Sequence, residues 1–279
     1  MASFSVVTNI GALNAQNQLI STERNLQTTI NRLSSGLRIN GAKDDAAGLA
    51  IAENLRADVQ GLNQAVRNAN DGISVINVAD SALNEMGNLL SRAMTLAEQA
   101  ASDTSGANNS TSKSAINNEY SQILSEIDRI ASTVEFNGLH LLSGTGATVD
   151  VQIGLGSSTN DRITITTTGV TASGLGLATG GALLTGSGAQ AELVAIKTAI
   201  DTVSGNRGNL GAFYNRLEHT IGVITIQSEN LMAAESQIKD ANIAQEVVNL
   251  TKFQVLNQTG LSALAQANSS SQSVLSLLR

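Results

Sequence analysis

The sequence contains no proline, no cysteine and no tryptophan, and its aromatic residues are four phenylalanines and two tyrosines among 279 residues. Without proline, the commonest breaker of long helices is missing. Without cysteine, the fold uses neither disulfides nor thiols, which is compatible with the cytosol and with the outside of a cell. Because aromatic side chains usually supply much of a compact core, their scarcity favours long helices packed through Leu, Ile, Val and Ala.

Charge is missing from both ends of the chain. No Asp, Glu, Lys or Arg occurs from Met1 to Thr22 or from Phe253 to Leu278. Both stretches have apolar residues at helical spacing, and such helices are stabilised mainly by whatever covers the apolar face. We therefore expect the two ends to pair as a coiled coil and to form the main assembly surface, ordering fully only on polymerisation. The predicted polymerisation residues are Val6, Ile10, Leu13, Leu26, Ile30, Leu33, Leu261, Leu264, Val274, Leu275 and Leu278.

The formal charge is −7, with 16 basic and 23 acidic residues. Binding to nucleic acid needs a dense Lys and Arg surface, so nucleic acid is not an expected partner. The sequence also has no basic segment followed by a short apolar run and no long apolar stretch, so neither a cleavable signal nor a membrane span is expected.

Catalytic and metal-binding groupings are not evident either. His140 and His219 are far apart in sequence and have no neighbouring ligand motif, so no metal site or cofactor is expected. The pair Asp44 and Asp45 is better explained as a helix cap than as paired catalytic carboxylates. No nucleophile and base grouping or phosphate-binding loop accompanies them, and an enzyme is not predicted.

Helical periodicity organises most of the chain. A first helix is predicted to end in the mid-thirties, and Asp44 or Asp45 caps a second one. The stripe of the second helix steps by four and three: Leu55, Val59, Leu62, Val66, Ala69, Ile73, Ile76, Asp80, Leu83, Gly87, Leu90, Met94 and Ala97.

A third helix follows a polar break, and it is predicted to stop near Asn137 and Gly138. Alternating residues from Val149 to Thr167 then predict a β-hairpin. Ser187 with Gln190 is read as a capping box that starts a fourth long helix, whose stripe includes Val203, Arg207, Leu210 and Leu217.

The fold class is therefore mainly α: a long-helix bundle with a terminal-helix coiled coil and a small β-hairpin region. Two domains are predicted. Residues 1–43 and 236–279 form an inner domain of paired terminal helices with a linker. Residues 44–235 form an outer domain of three long helices, with the hairpin region at about 143–187.

Four stretches resemble bacterial flagellin in the same order along the chain. They are NRLSSGLRINGAKDDAAGLAIA from Asn31, SEIDRIASTVEFNGLHLL from Ser125, LGAFYNRLEHTI from Leu210 and VLSLLR from Val274. The resemblance covers both ends and all three inner helices, and only residues 143–187 match loosely. A departure occurs at Ser269, Ser270 and Ser271, where many family members carry a proline.

The resemblance implies a structural subunit that polymerises into the flagellar filament for swimming motility. It implies export by the flagellar type III apparatus and a place outside the cell. The implied partners are other flagellin subunits, the flagellar cap and hook-junction proteins, and an export chaperone at the C-terminal helix. Two alternatives remain open: a hook-filament junction protein of the same superfamily, and a secreted coiled-coil effector.

Recognition by host immune receptors is also implied by position. Arg92, Leu96 and Glu119 fall where flagellins contact the animal Toll-like receptor, and Met94 and Thr95 differ from the charged residues common there. Residues 31–52 match the peptide sensed by plant receptors, which includes Arg38, Asp44 and Asp45. A solvated helix face used in subunit packing is the more ordinary explanation for Arg92, Leu96 and Glu119.

Overall fold

The computed structural model describes residues 8–102, 110–178 and 180–277, without the side chains of residues 271–277. The chain forms two compact units, one made of residues up to Val59 and from Glu229 onward, the other of Gln60–Ser228. We call them the terminal unit and the central unit. Their boundaries lie inside the predicted outer domain of residues 44–235, and the division into independently folding domains stays a prediction.

The terminal unit contains two long helices, α1 (Ile10–Ser35) and α5 (Ile243–Leu277). They run antiparallel, because the Asn9 side chain donates to the Ala267 carbonyl at one end while Arg32 lies 3.4 Å from Glu246 at the other. The predicted pairing of the terminal helices is confirmed. The first helix ends where expected, at Gly36, whose positive φ of 72° suits glycine in a helix C-cap.

The central unit is built around α2 (Ala46–Ala101), α3 (Ser110–Thr133) and α4 (Gly186–Lys239), of which α2 and α4 also contribute residues to the terminal unit. Within the central unit α2 and α4 are antiparallel. Asp80 of α2 accepts a 2.8 Å bond from Arg207 of α4. These two charges interrupt the predicted stripes of their helices, and the structure pairs them.

The buried face of α2 is rotated from the predicted one. One predicted row is buried as expected: Leu62, Ala69, Ile76, Leu83, Leu90 and Ala97. The second predicted row, from Val66 through Met94, is only half-buried. Its place is taken by the residues on the other side of the shared row: Ala65, Gly72, Ala79, Met86, Ala93 and Ala100.

Small side chains explain this rotation, because they let neighbouring elements approach α2 closely. At Gly72 an added Cβ would lie 2.9 Å from Val151 Cγ2 and 3.3 Å from Leu217 Cδ1. Distances below about 3 Å force a neighbour to shift, so glycine is needed where α2 meets both α4 and the hairpin strand that carries Val151.

Two antiparallel strand pairs complete the central unit. The pair of β3 (Thr148–Gln152) and β4 (Arg162–Thr166) confirms the predicted hairpin, with Val149 opposite Ile165. The expected role of Asn137 and Gly138 was wrong. The helix ends earlier, at Thr133, and these residues turn a short hairpin between β1 (Glu135–Phe136) and β2 (Leu139–His140). Their φ values of 50° and 78° suit a two-residue hairpin turn.

The segment between β4 and α4 is irregular, yet it buries apolar side chains. Its backbone is held by polar residues of α3: Ala172 N donates to Asp128 Oδ1 at 2.7 Å, and Leu183 N donates to Asn117 Oδ1 at 3.3 Å. The predicted capping box at Ser187 was wrong. Thr185 caps α4 instead, since its hydroxyl accepts a bond from Gly188 N at 3.1 Å.

Across the part of the chain that the structure describes, no helix is apolar over a long enough span to cross a bilayer.

Candidate polymerisation surface

The seam between α1 and α5 is made mostly of small and polar residues. On α1 it contains Ala12, Ala15, Leu19, Thr22, Leu26, Thr29 and Leu33, and on α5 Glu246, Leu250, Phe253, Asn257, Gly260, Leu264 and Ala267. These residues are spaced by three and four, as in a coiled coil. At Gly260 an added Cβ would lie 3.2 Å from Leu19 Cδ1, so glycine there permits close contact.

An ion pair lies inside this seam. Arg32 Nη1 is 3.4 Å from Glu246 Oε1, and Glu246 is only 7% exposed. Among the described residues, Arg32 Nε and Glu246 Oε2 have no hydrogen-bond partner. Because a buried pair with unmet hydrogen bonds adds little net stability, this pair is expected to strengthen the pairing of the two helices only slightly.

The linker after α1 is held to the end of α4 by backbone bonds. Arg38 N donates to Lys239 O at 2.7 Å, and Ala241 N donates to Gly36 O at 2.9 Å. The Arg38 guanidinium donates to Ile238 O at 2.6 Å. Arg38 therefore holds the linker against the end of α4 in the folded chain.

The predicted cap of α2 is confirmed for Asp45, whose Oδ1 accepts a bond from Gly48 N at 2.9 Å. Asp44 has a different role, since its carboxylate accepts a bond from Asn40 N at 3.1 Å in the preceding turn. Both carboxylates thus order the backbone where the linker enters α2.

The eleven predicted polymerisation residues fall in different places. Leu26, Leu33 and Leu264 lie in the seam. Ile10, Leu13, Ile30 and Leu261 are exposed in the single chain. Val6 and Leu278 lie outside the described residues, as do the side chains of Val274 and Leu275.

Both helices carry a second apolar face that their pairing does not cover. We call it the outward face: Ile10, Leu13 and Ile20 of α1, with Val247, Val248, Val255 and Leu256 of α5. On α5, Val248 and Val255 lie opposite the seam by helical spacing, and Val247 and Leu256 lie on its two sides. There the outward face forms a shallow groove of about 460 Å³, which also includes Thr251 and Lys252.

Sequence reasoning missed Ile20 and the four outward residues of α5, although a signal for them was present. On α5 they form the Val247, Val248, Val255 and Leu256 set, spaced by one, seven and one. Apolar residues on more than one side of a helix are typical of a helix that is covered on more than one side.

The predicted receptor residues on the central unit differ in how deeply they are buried. Arg92 Nε and Nη2 donate to Glu119 Oε1 at 2.9 and 2.6 Å, and both side chains are about half exposed. Leu96 is 2% exposed and belongs to the core. A protein docking on this face would reach Arg92 and Glu119 but not the side chain of Leu96.

Within the described residues, no three His, Cys, Asp or Glu side chains are grouped so that they could hold a metal ion.

Family models for the helical regions of a single protein match both ends of the chain. The bacterial flagellin N-terminal helical region matches residues 6–147, and the bacterial flagellin C-terminal helical region matches residues 193–278. The chain belongs to the bacterial flagellin family. Its members are structural, non-enzymatic proteins, and this chain is a filament subunit that polymerises with other flagellin subunits in motility.

Curated relatives in this family align over nearly the whole chain. A flagellin of Halalkalibacterium halodurans is 42% identical, and the flagellar filament 33 kDa core protein of Treponema phagedenis is 41% identical. Each alignment covers 97% of this chain and 98% of the relative. The flagellin resemblance inferred from the four motifs is confirmed.

The fold itself is shared more widely. A flagellar hook-associated protein of Vibrio parahaemolyticus is similar with a TM-score of 0.58 at 15% identity, covering 71% of this chain and all of that one. Similarity at that level shows the fold alone. The assignment as a filament subunit rests on the family models and the close relatives, not on this fold.

Proposed function

We propose that this filament subunit polymerises through the outward face of its paired terminal helices. The observation that supports the proposal is the exposure of Val248 and Val255, which are 61% and 58% exposed on the side of α5 opposite the seam. Each buried valine offers about 1.5 kcal/mol or more. Because flagellins polymerise with one another, the partner that covers this face would be another copy of the chain. Covering the face in the filament would stabilise both helices.

The test exchanges these valines for residues of the same shape. Val248→Thr with Val255→Thr keeps β-branching and volume but adds hydroxyl groups, so burial becomes unfavourable. We expect the critical concentration for seeded polymerisation to rise about tenfold or more, since about 1.4 kcal/mol corresponds to a factor of ten. Sedimentation and electron microscopy measure it.

The matched control is Val248→Ile with Val255→Ile, which keeps both positions apolar and β-branched. It should polymerise at close to the parental concentration. If the threonine variant also did so, with unchanged circular dichroism as a monomer, the outward face would not be the polymerisation surface.

We also propose how the subunit is exported and where it is assembled. Before assembly, a helix with few charges and exposed apolar residues needs a cover, which supports an export chaperone on α5. After assembly, the subunit would contact the cap and the hook-junction proteins at the two ends of a filament outside the cell. Protease treatment of intact cells tests the location: digestion of the filament supports it, and digestion only after the outer envelope is opened would contradict it.

Recognition by an animal receptor is proposed for Arg92 and Glu119, which stand exposed on α2 and α3. Arg92→Ala and Glu119→Ala monomers should activate receptor reporter cells less than the parent does. Arg67→Ala, another exposed arginine of α2, is the control. Unchanged activation by both variants would remove the proposal.

Plant recognition of residues 31–52 is proposed for Arg38, Asp44 and Asp45. A synthetic peptide of that sequence should trigger the plant response. The proposal fails if alanine at all three positions leaves the response unchanged.

A further inference from the structure

The central unit carries an apolar groove between α2 and α3 with an acidic rim. Its floor includes Val78, Ala82, Leu89, Ile130 and Val134, and the groove has a volume of about 590 Å³. Val78 and Leu89 are 11 residues apart, so the groove runs about 16 Å along α2 at about 1.5 Å per residue. A cylindrical apolar object about three turns long would fill it.

The rim of this groove has a net negative charge. It carries Glu85, Glu126 and Glu135, against one arginine, Arg129. Arg129 is already paired with Glu126, whose carboxylate is 2.5 Å from the guanidinium. Glu135 is 3.9 Å from His140, which carries charge only when protonated. The carboxylates left for a partner are therefore those of Glu85 and, when His140 is neutral, Glu135.

A ridge of matching length and opposite charge lies on α4 of the same unit. Val223 and Ile226 are 64% and 62% exposed, among the most exposed large apolar side chains of the central unit. Arg216 and His219 line the same face, opposite the buried Leu217. From Arg216 to Ile226 the ridge is about 15 Å long, and within the described residues Arg216 makes no ion pair.

We propose that the α4 ridge of one copy docks into the α2–α3 groove of a second copy, placing Arg216 against Glu85. The polymerisation of the chain supplies the second copy, so this inference rests on the filament function and names a contact outside the terminal helices. Val223 and Ile226 fill the apolar floor, and complementary charge fixes which face meets which. The two surfaces lie on different helices, so the contact is heterologous, and repetition of it extends a polymer rather than closing a dimer.

Charge reversal tests the pairing. Arg216→Glu and Glu85→Lys place like charges together, and each should raise the critical concentration for seeded polymerisation about tenfold. The double variant restores opposite charges and should return it to within about twofold of the parent. Both positions are exposed, so monomer circular dichroism and melting should not change. Two single variants that polymerise normally, or a double variant no better than either single one, would overturn the pairing.

Cross-linking locates the contact directly, because the chain has no cysteine of its own. Ser81→Cys in the groove and Thr220→Cys on the ridge are made in separate preparations and polymerised together. A short bismaleimide should link the two variants in filaments and not in dilute monomer. Val194→Cys, an exposed position elsewhere on α4, is the control and should not link to Ser81→Cys.

The two proposals fail differently. Normal filaments without the groove-to-ridge link would overturn this contact while leaving the outward face of α1 and α5 in place. Polymerisation that is unaffected by the threonine substitutions at Val248 and Val255 would overturn the outward face, and the cross-link would still report on the groove.

Discussion

The carboxylate of Glu192 is 5% exposed inside the central unit, where two donors compensate its burial. Tyr120 OH donates to Glu192 Oε1, and Ala178 N donates to the same oxygen at 3.0 Å. This carboxylate joins α3, α4 and the irregular segment before α4. Burial raises the pKa of the Tyr120 hydroxyl above its usual value of 10.0, and the hydrogen bond to Glu192 and its charge act in the same direction.

The raised pKa of Tyr120 makes stability depend on pH at the alkaline end. In the folded chain Tyr120 keeps its proton above pH 10, whereas in the unfolded chain it loses it, so the unfolded state binds fewer protons and the free energy of unfolding falls as pH rises. Tyr120→Phe removes this dependence. It should destabilise the chain by about 1–3 kcal/mol at pH 7, because Glu192 loses a donor.

Urea unfolding at pH 8, 10 and 11 measures the effect. The gap between parent and Tyr120→Phe should narrow above pH 10. Tyr214→Phe, the other tyrosine, lacks contact with Glu192 and is the control. A gap that stayed constant across this range would show that Tyr120 is not the group responsible.

At the scale of the element, α4 contains glycines whose positions no contact among the described residues explains. Gly205 and Gly208 lie in the middle of the helix, and a Cβ at either would meet no atom of the described residues within 4 Å. Glycine in a helix interior costs about 0.5–1 kcal/mol relative to alanine.

Gly205→Ala and Gly208→Ala should therefore each stabilise the monomer by about 0.5–1 kcal/mol, measured by urea unfolding. Gly72→Ala is the contrasting control, since its Cβ would press on Val151 and it should destabilise. Loss of stability in both Gly205 and Gly208 variants would contradict the open space around these positions.

The terminal helices differ from the central ones in the side chains that stabilise their packing. Their seam combines small and polar residues with five leucines and one phenylalanine that all stay partly exposed, and it includes the pair of Arg32 and Glu246, so it buries no large apolar side chain completely. Ordering a residue costs about 1–2 kcal/mol of backbone entropy. A seam of this kind offsets little of that cost until other subunits cover the outward face.

Amide hydrogen exchange should therefore be fast in α1 and α5 of the monomer, slow in α2 and α3, and slow in all of them in the filament. Mass spectrometry of both states measures it. Strong protection from Val6 to Leu33 in the monomer would contradict the prediction that the ends order only on assembly.

At the scale of the whole molecule, large fully buried side chains are concentrated in one unit. Those of the central unit include Tyr120, Leu83, Met86, Leu90, Ile127 and Leu210, each less than 2% exposed. The terminal unit buries few large apolar side chains among its described residues, such as Ile39 and Val59. The central unit should therefore resist local unfolding more strongly than the terminal unit.

Limited proteolysis of the monomer should remove both ends first and leave a helical fragment with boundaries near residues 43 and 236, as the predicted domains require. Mass spectrometry identifies the fragment, and circular dichroism tests its helicity. The same protease should cut the ends much more slowly in the filament. Early cleavage inside α2 or α3 would contradict the predicted domains.

Sequence alone determined the long helices, the β3 and β4 hairpin, the pairing of two uncharged ends and the flagellin family. These follow from local periodicity and from motifs that hold their order along the chain, and they need no knowledge of neighbours. The polymerisation surface was predicted less completely, because some of the predicted residues lie in the seam and others lie on the outward face. Leu26 and Ile10 have the same apolar character in the sequence, and only one of them is covered within the chain.

Tertiary structure decided which side of each helix is covered. On α2, the row from Val66 to Met94 carries larger side chains than the row with Ala65, Gly72 and Ala79, yet the second row is the buried one. The reason is steric: small residues let α4 and the hairpin come close, and close packing outweighs the larger side chains left half-buried at the edge. Which element packs against α2 is set by the path of the whole chain, so it cannot be read from any short stretch of the sequence.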